Sequence, residues 1–201
     1  MNISQFYEFI VKIHSIAKIG MVYSKDPYAI ANYEEINQLS HDMLEQFVNV
    51  KFERPSYFSR DIYPTPNVSV RTIVFDGENR VLLVREAKDG CYSLPGGWCD
   101  LYESPSEAAR KECLQEAGAQ VEVTRLVGLL NRTPEKGPLG IPEYMAVFLA
   151  GLVGPLTSVG FETTEAGFYP LDRLPPLSRK VSEKEVHRMI DAARSGAVIF
   201  D

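Results

Sequence analysis

Residues 94–119 read LPGGWCDLYESPSEAARKECLQEAGA. In chain order this is a strand end, a glycine loop and a short helix. Ser104 suits the N-cap, Pro105 the first helical position, and Glu107, three residues after the cap, completes a capping box. Gly118 supplies a left-handed C-cap, so the helix is expected from about Pro105 to Ala117. On a wheel of about 100° per residue, Ala108, Ala109, Cys113 and Ala117 share the side that should be buried. Glu112 and Glu116 fall in the middle of that side and, being four apart, lie next to each other. Two like charges aimed at a core are costly unless something positive meets them. A divalent cation is the simplest partner, because hard cations prefer carboxylate oxygen. The competing account is an ordinary amphipathic helix with its acids at the edge.

The spacing of the whole stretch resembles the Nudix hydrolase signature, G-x5-E-x7-R-E-U-x-E-E-x-G-U, where U is bulky and apolar. Gly97, Glu103, Glu112, Glu116 and Gly118 match it. Lys111 replaces the arginine and Gln115 the first glutamate of the pair, while Cys113 and Ala119 are small for the apolar positions. The resemblance implies an α/β/α sandwich with a mixed sheet, and an enzyme that cuts the pyrophosphate linkage of a nucleoside diphosphate joined to another group, X, with Mg2+ or Mn2+. It further implies that Glu112 and Glu116 hold the metal, helped by the backbone carbonyl of Gly97. At the position of the usual third carboxylate, Gln115 offers only a neutral amide oxygen. Glu103 and Lys111 match the pair that steadies the loop against the helix, although an ammonium cannot make arginine's two-pronged grip.

Working outward, residues 1–50 differ from the rest. Ile3, Phe6, Tyr7, Ile10, Ile13, Ile16 and Ala17 have helical spacing, and Gly20 is expected to close this helix. Asp26 caps a second helix with Pro27 at its first position, and Ile30, Tyr33, Ile36, Leu39, Met43, Leu44 and Phe47 continue an apolar stripe. Two helices cannot bury both stripes against each other alone. The hairpin is therefore expected to dock on the catalytic domain or on a second copy, and a homodimer through the N-terminal helices is favoured. Its aromatics, Phe6, Tyr7, Phe9, Tyr28, Tyr33 and Phe47, are of the kind that anchor interfaces. His14 and His41 read as packing or surface histidines.

Residues 51–66, with three prolines, read as an extended linker before a catalytic domain over 67–201. Strands are expected over Val68–Phe75, Val81–Arg85, Cys91–Leu94, Val121–Asn131 and Glu143–Leu152, with a short last strand at Phe168–Tyr169. Residues 132–142 read as a glycine- and proline-rich loop. Ser182 and Glu185 make a second capping box, opening a helix to about Arg194. The segments Tyr63–Pro66, Leu83–Glu86, Leu94–Trp98 and Leu174–Ser178 resemble a bacterial Nudix subgroup with an N-terminal helical domain, described as ADP-ribose pyrophosphatase-like or CDP-choline hydrolase-like and dimeric. With them the resemblance covers most of the chain.

The 201 residues, 45% hydrophobic, suffice for one full core and a small accessory unit. A net charge of -6 argues against a nucleic-acid partner, whereas a nucleotide-derived small molecule can still bind if metal and arginines neutralise its phosphates locally. Three cysteines without a C-x-x-C pair argue against zinc or a disulfide framework. With no signal peptide and no apolar run long enough to span a bilayer, a cytoplasmic protein away from membranes is expected.

Cleaving a charged pyrophosphate needs neutralisation and a base within hydrogen-bond reach of the attacking water. Glu112 is ligand and base candidate at once. Glu162, before the last strand, is the second base candidate and Glu165 its neighbour; solvated loop acids are the competing account. Arg71 and Arg85 are candidate substrate-holding residues because guanidinium matches phosphate geometry, against the commoner role of surface salt bridges. Trp98 and Tyr102 could pack on the base or on the sheet. Three readings compete: a metal-dependent hydrolase of NDP-X compounds, a catalytically weakened Nudix-fold nucleotide-binding or regulatory module, and a nucleoside triphosphate pyrophosphohydrolase. The survival of Glu112 and Glu116 favours activity, and the N-terminal helices favour NDP-X.

Overall fold

A computed structural model describes residues 3–48, 66–132 and 143–201. It divides into two units, Met1–Pro64 and Thr65–Asp201. Most of the expected linker and of the 132–142 loop lies outside the described residues.

The first unit is a hairpin of α1 (Ile3–Tyr23) and α2 (Pro27–Val48). Asp26 caps α2 by accepting the Tyr28 N–H on Oδ1 at 3.0 Å. Gly20 does not close α1, which runs on to Tyr23. A Cβ at Gly20 would sit 2.5 Å from the Tyr33 ring, so this glycine lets α2 approach α1 rather than ending it. Ile10 and Ala17 are buried with His14, whose Nδ1 lies 2.9 Å from the Ser40 hydroxyl. Phe9, Val22, Tyr28 and Leu39 stay exposed, at 56%, 70%, 78% and 61%. Ile16, Ile36 and Met43 of the apolar stripes are also exposed within this unit.

The second unit holds two sheets. Strands β1 (Asn67–Val74), β5 (Glu143–Leu152), β4 (Val121–Asn131) and β7 (Ile199–Phe200) form a mixed four-stranded sheet in the order β1-β5-β4-β7. The β1–β5 and β4–β7 pairs are parallel and β4–β5 is antiparallel. An antiparallel three-stranded sheet has β2 (Val81–Glu86) between β3 (Tyr92–Ser93) and β6 (Thr163–Tyr169). Helix α3 (Pro105–Ala117) lays Ala108, Ala109, Cys113 and Ala117 against Val70, Val74, Leu82, Val84, Phe148 and Ala150. Helix α4 (Glu183–Ser195) lays Val186, Met189 and Ile190 against Ile73, Leu83, Leu130 and Met145. Strand β1 is thus buried on both faces from Ser69 to Val74, although its sequence alternates polar and apolar residues over its first five positions. Each fully buried aliphatic side chain contributes about 1.5–3 kcal/mol. This is the α/β/α sandwich with a mixed sheet that the signature implies.

Both capping boxes form, at Ser104 with Glu107 and at Ser182 with Glu185. Gly118 takes φ 59°, with its N–H on the Leu114 carbonyl and the Ala119 N–H on the Cys113 carbonyl. Two strand expectations change. The strand containing Phe168 begins already at Thr163, so Glu165 is a strand residue, and β7 was not foreseen. A two-residue strand carries no periodicity to read.

Candidate active site

The glycine loop is tied along the outer side of β1. Val70 and Thr72 donate their N–H groups to the carbonyls of Gly97 (2.8 Å) and Pro95 (2.9 Å), and Cys99 donates back to Val68 (2.9 Å). This ladder brings the loop over α3. The Gly96 N–H donates to Glu116 Oε2 at 2.8 Å. A Cβ on Gly96 would stand 2.1 Å from the Val70 carbonyl oxygen and 2.9 Å from Arg71 Nη1, and one on Gly97 would meet the Glu112 carboxylate at 2.9–3.1 Å. Both positions need glycine because a carboxylate, a guanidinium and a strand already fill the space. The Gly97 carbonyl accepts from Val70, so it could meet a cation only with its second lone pair.

Glu116 is 4% exposed. Burial pushes its carboxyl up to about 7, against the opposing effects of the Gly96 hydrogen bond and the Arg71 charge. The Glu112 carboxyl is also raised: burial is the main cause, Lys111 and Arg71 oppose it, and the charges of Glu162 and Glu103 add to it. At both acids the cost of burial outweighs the nearby positive charge. Lys111 answers only part of this. Its Nζ donates to Glu103 at 2.8 Å and Asp100 at 3.1 Å and lies 3.9 Å from Glu112 Oε1. Burial lowers the ammonium's pKa, but the hydrogen bonds to Glu103 and Asp100 outweigh that and leave it raised. Lys111 and Glu103 join loop to helix, with Asp100 as a third member.

The segment 157–163 closes the far end of α3. Thr157 donates from its N–H (2.8 Å) and hydroxyl (2.9 Å) to the Gly118 carbonyl. Gly160 donates its N–H to Gln115 (2.8 Å), and the Thr163 hydroxyl donates to the Glu116 carbonyl (2.6 Å). These bonds satisfy helix-end carbonyls that would otherwise lack partners. They also hold Glu162, whose own carbonyl accepts from Ala87 at 2.9 Å, near the helix. The Glu162 side chain is exposed, yet its charge is felt at Glu112.

The fold thus brings together Gly97, Glu103, Lys111, Glu112, Glu116 and Arg71, with Glu162 at the edge. Gln115 lies on the same helix with an exposed side chain. Arg85 is not brought to the carboxylates. Its exposed side chain turns to the Gly90 carbonyl at 3.0 Å, and it stands across β2 from Glu165 and Tyr92. Glu165 is taken up by the hydroxyls of Tyr169 (2.8 Å) and Tyr92 (3.0 Å), which hold its carboxyl below the ordinary range. Sequence reasoning missed Glu86, Glu143, Arg132 and Lys180. Glu86 is buried, accepting from Ser93 and Lys180 at 2.6 Å each, and Glu143 is buried and accepts from Ser69. Glu86 and Glu143 end and begin strands, where a charged residue reads as a solvated edge. Among the described residues, no group of three or more His, Cys, Asp or Glu side chains is arranged to hold a metal.

An α/β/α sandwich whose glycine loop covers a helix with one buried and one half-buried carboxylate, both raised by burial, matches a class of phosphoanhydride hydrolase. The chain belongs to the Nudix hydrolase family: the NUDIX domain matches residues 65–189. Residues 4–54 match a second domain, described as UDP-X-like, N-terminal oligomerisation domain. The chain is 38% identical over 172 residues, 84% of its length, to a Bacillus subtilis protein described as "Putative ADP-ribose pyrophosphatase YjhB", and covers 82% of that protein. Among solved structures it resembles an ADP-ribose pyrophosphatase of Streptococcus suis, with 35% identity and a TM-score of 0.59 over 68% of this chain and all of that one. A UDP-X diphosphatase structure matches over the full length of both chains at 26% identity and a TM-score of 0.65. The protein is therefore a Nudix pyrophosphatase.

Proposed function

We propose that this enzyme hydrolyses the pyrophosphate linkage of a nucleoside diphosphate joined to a second group X, giving a nucleoside monophosphate and a phosphorylated X. The observation that carries the reading is the Glu112–Glu116 pair: two adjacent carboxylates, both raised by burial, under a glycine loop shaped around them. Such a pair is an all-oxygen cradle for a hard divalent cation, Mg2+ or Mn2+. The residues fit the ion, with Glu112 and Glu116 as its charged ligands and the Gly97 carbonyl and Gln115 amide as neutral helpers. When bound, the ion neutralises the pyrophosphate and lowers the pKa of a coordinated water.

The chain's own groups supply the rest. Lys111 and Glu103 keep the loop seated on α3. Arg71, the strand arginine beside Glu116, holds the substrate. Glu162 takes the proton of the attacking water, with Glu112 as the alternative base. The water oxygen bonds to one phosphorus as the bridging P–O bond breaks, and the departing phosphate leaves with the electron pair. Within the expected ADP-ribose or CDP-choline class, the relatives named for ADP-ribose and UDP-X support the ADP-ribose kind. The match to an oligomerisation domain and the exposed aromatics of α1 and α2 support a homodimer through the N-terminal helices. Three free cysteines support a cytoplasmic setting, and no described helix is long and apolar enough to cross a membrane. Turnover with and without divalent metal, against ADP-ribose, CDP-choline, NADH and dNTPs, tests the reading. Metal-independent turnover, or preference for dNTPs, would overturn it.

A further inference from the structure

Beside the carboxylate helix lies a second set of buried polar side chains, of which the steps above use only Arg71. Arg71 and Arg132 are 8% and 5% exposed. Arg71 alternates with Ile73 in β1, and Arg132 follows Leu130 by two at the end of β4. Ile73 and Leu130 belong to one core cluster with Met145 and Val147 of β5, the strand between them, so both arginines lie on the same face of the sheet. The Arg132 N–H bonds to the Glu143 carbonyl at 2.9 Å, extending the ladder by one residue. Arg71 is anchored at one end only, and Arg132 by one hydrogen bond and one ion pair. Arg71 Nη1 donates to the Val70 carbonyl at 2.9 Å. Arg132 Nη2 donates to the Lys180 carbonyl at 2.8 Å, while its Nη1 lies 3.3 Å from Glu185. Arg71 Nε and Arg132 Nε and Nη1 have no hydrogen-bond partner among the described residues. Buried donors left unmade are costly and rare, and these two cations also repel each other.

The surrounding charges say what would meet these donors. Arg71, Arg132 and Lys180 face Glu86, Glu116, Glu143 and Glu185, three cations against four carboxylates. A phosphate would enter a region with no surplus positive charge. A hydroxyl is neutral, accepts from a guanidinium and donates to a carboxylate. We propose that Arg71 and Arg132 form a subsite for the hydroxyls of a sugar carried by the substrate, next to the carboxylate helix. This rests on the NDP-X reading and assigns Arg71 and Arg132 a place in it. The sugar is either the nucleoside's ribose or the sugar of X.

Arg132→Lys and Arg71→Lys keep the charge and lose the fork of donors. Each is made in the full chain and scored separately, so that a folding defect in one leaves the other. Binding of ADP-ribose, CDP-choline and ribose 5-phosphate is measured by calorimetry in chelator, where turnover plays no part, and KM and kcat are measured with metal. ADP-ribose affinity should fall at least ~10-fold and KM rise in step, with kcat within about threefold, as expected when ground-state binding is lost. Unchanged CDP-choline affinity assigns the subsite to the sugar of X, and a parallel loss assigns it to the nucleoside ribose. Unchanged ADP-ribose affinity, or a lower melting temperature with unchanged affinity, overturns the proposal. If no NDP-X compound turns over, the functional reading fails, and ribose 5-phosphate still decides: weakened binding in the variants supports the subsite, and no binding to the wild type overturns it.

Discussion

Replacing Glu116 with glutamine separates what this side chain does for the fold from what it does for chemistry. The amide keeps an oxygen to accept the Gly96 N–H, now at 2.8 Å, and loses only the charge. The carboxyl stands at about 7 in the folded protein against an ordinary 4.5, chiefly because it is buried. A group raised in the fold contributes stability that is complete below pH 4.5 and is lost as pH rises through about 7. At pH 8, in chelator, the wild type thus carries a penalty of about 3 kcal/mol, and at pH 5 roughly 1 kcal/mol. Glu116→Gln carries none, so it should melt higher than the wild type at pH 8 by about 6–12 °C, at roughly 2–4 °C per kcal/mol. The gain should shrink to a few degrees at pH 5. With divalent metal, the same variant should lose at least ~100-fold in kcat, the scale of deleting a main electrostatic contribution. Thermal unfolding at the two pH values and a phosphate-release assay measure both effects. A destabilisation that is equal at pH 5 and pH 8, or turnover near the wild-type rate, would refute the assignment of Glu116 as a buried charge held for a cation.

Gln115→Glu adds a carboxylate beside Glu112 and Glu116, and should lower the metal concentration for half-maximal activity. An unchanged or weaker response would show geometry built around the amide. Gly160→Ala puts a Cβ 2.4 Å from the Gln115 carbonyl oxygen and should cost about 1–3 kcal/mol in denaturant unfolding; an unaffected midpoint would mean that the 157–163 segment is not seated on α3. The full chain should sediment as a dimer at micromolar concentration and a chain starting at residue 66 as a monomer. A full-length monomer would remove the interface, and a dimer that survives truncation would move it to the catalytic unit.

Helix α3 and its chemistry were legible from the sequence because what specifies them is local. Ser104, Pro105, Glu107 and Gly118 state the boundaries through capping, and the 3.6-residue period turns Glu112 and Glu116 inward with Cys113. Strands β4 and β5 have the expected bounds for the same reason: β4 is rich in β-branched and apolar residues and β5 is a long apolar run, each flanked by turn residues. Gly20 was misread because a glycine that ends a helix and one that admits a neighbouring ring look alike until Tyr33, thirteen residues on, is in place. Only the tertiary structure could separate Arg71 from Arg85. Arg71 alternates with Val68 and Val70 alongside Asn67 and Ser69, a pattern that reads as solvent-facing, and Arg85 follows an unbroken apolar run with no alternation, so local pattern reveals neither face. The sheet decides: Arg71 goes inward beside Gly96, and Arg85 goes outward to Gly90. The meeting of Thr163 with the Glu116 carbonyl and of Arg132 with Lys180 spans 47 and 48 residues, and that of Glu86 with Lys180 spans 94. Such pairs leave no mark on local pattern, because strand order and register, set by burial of the whole core, bring them within reach.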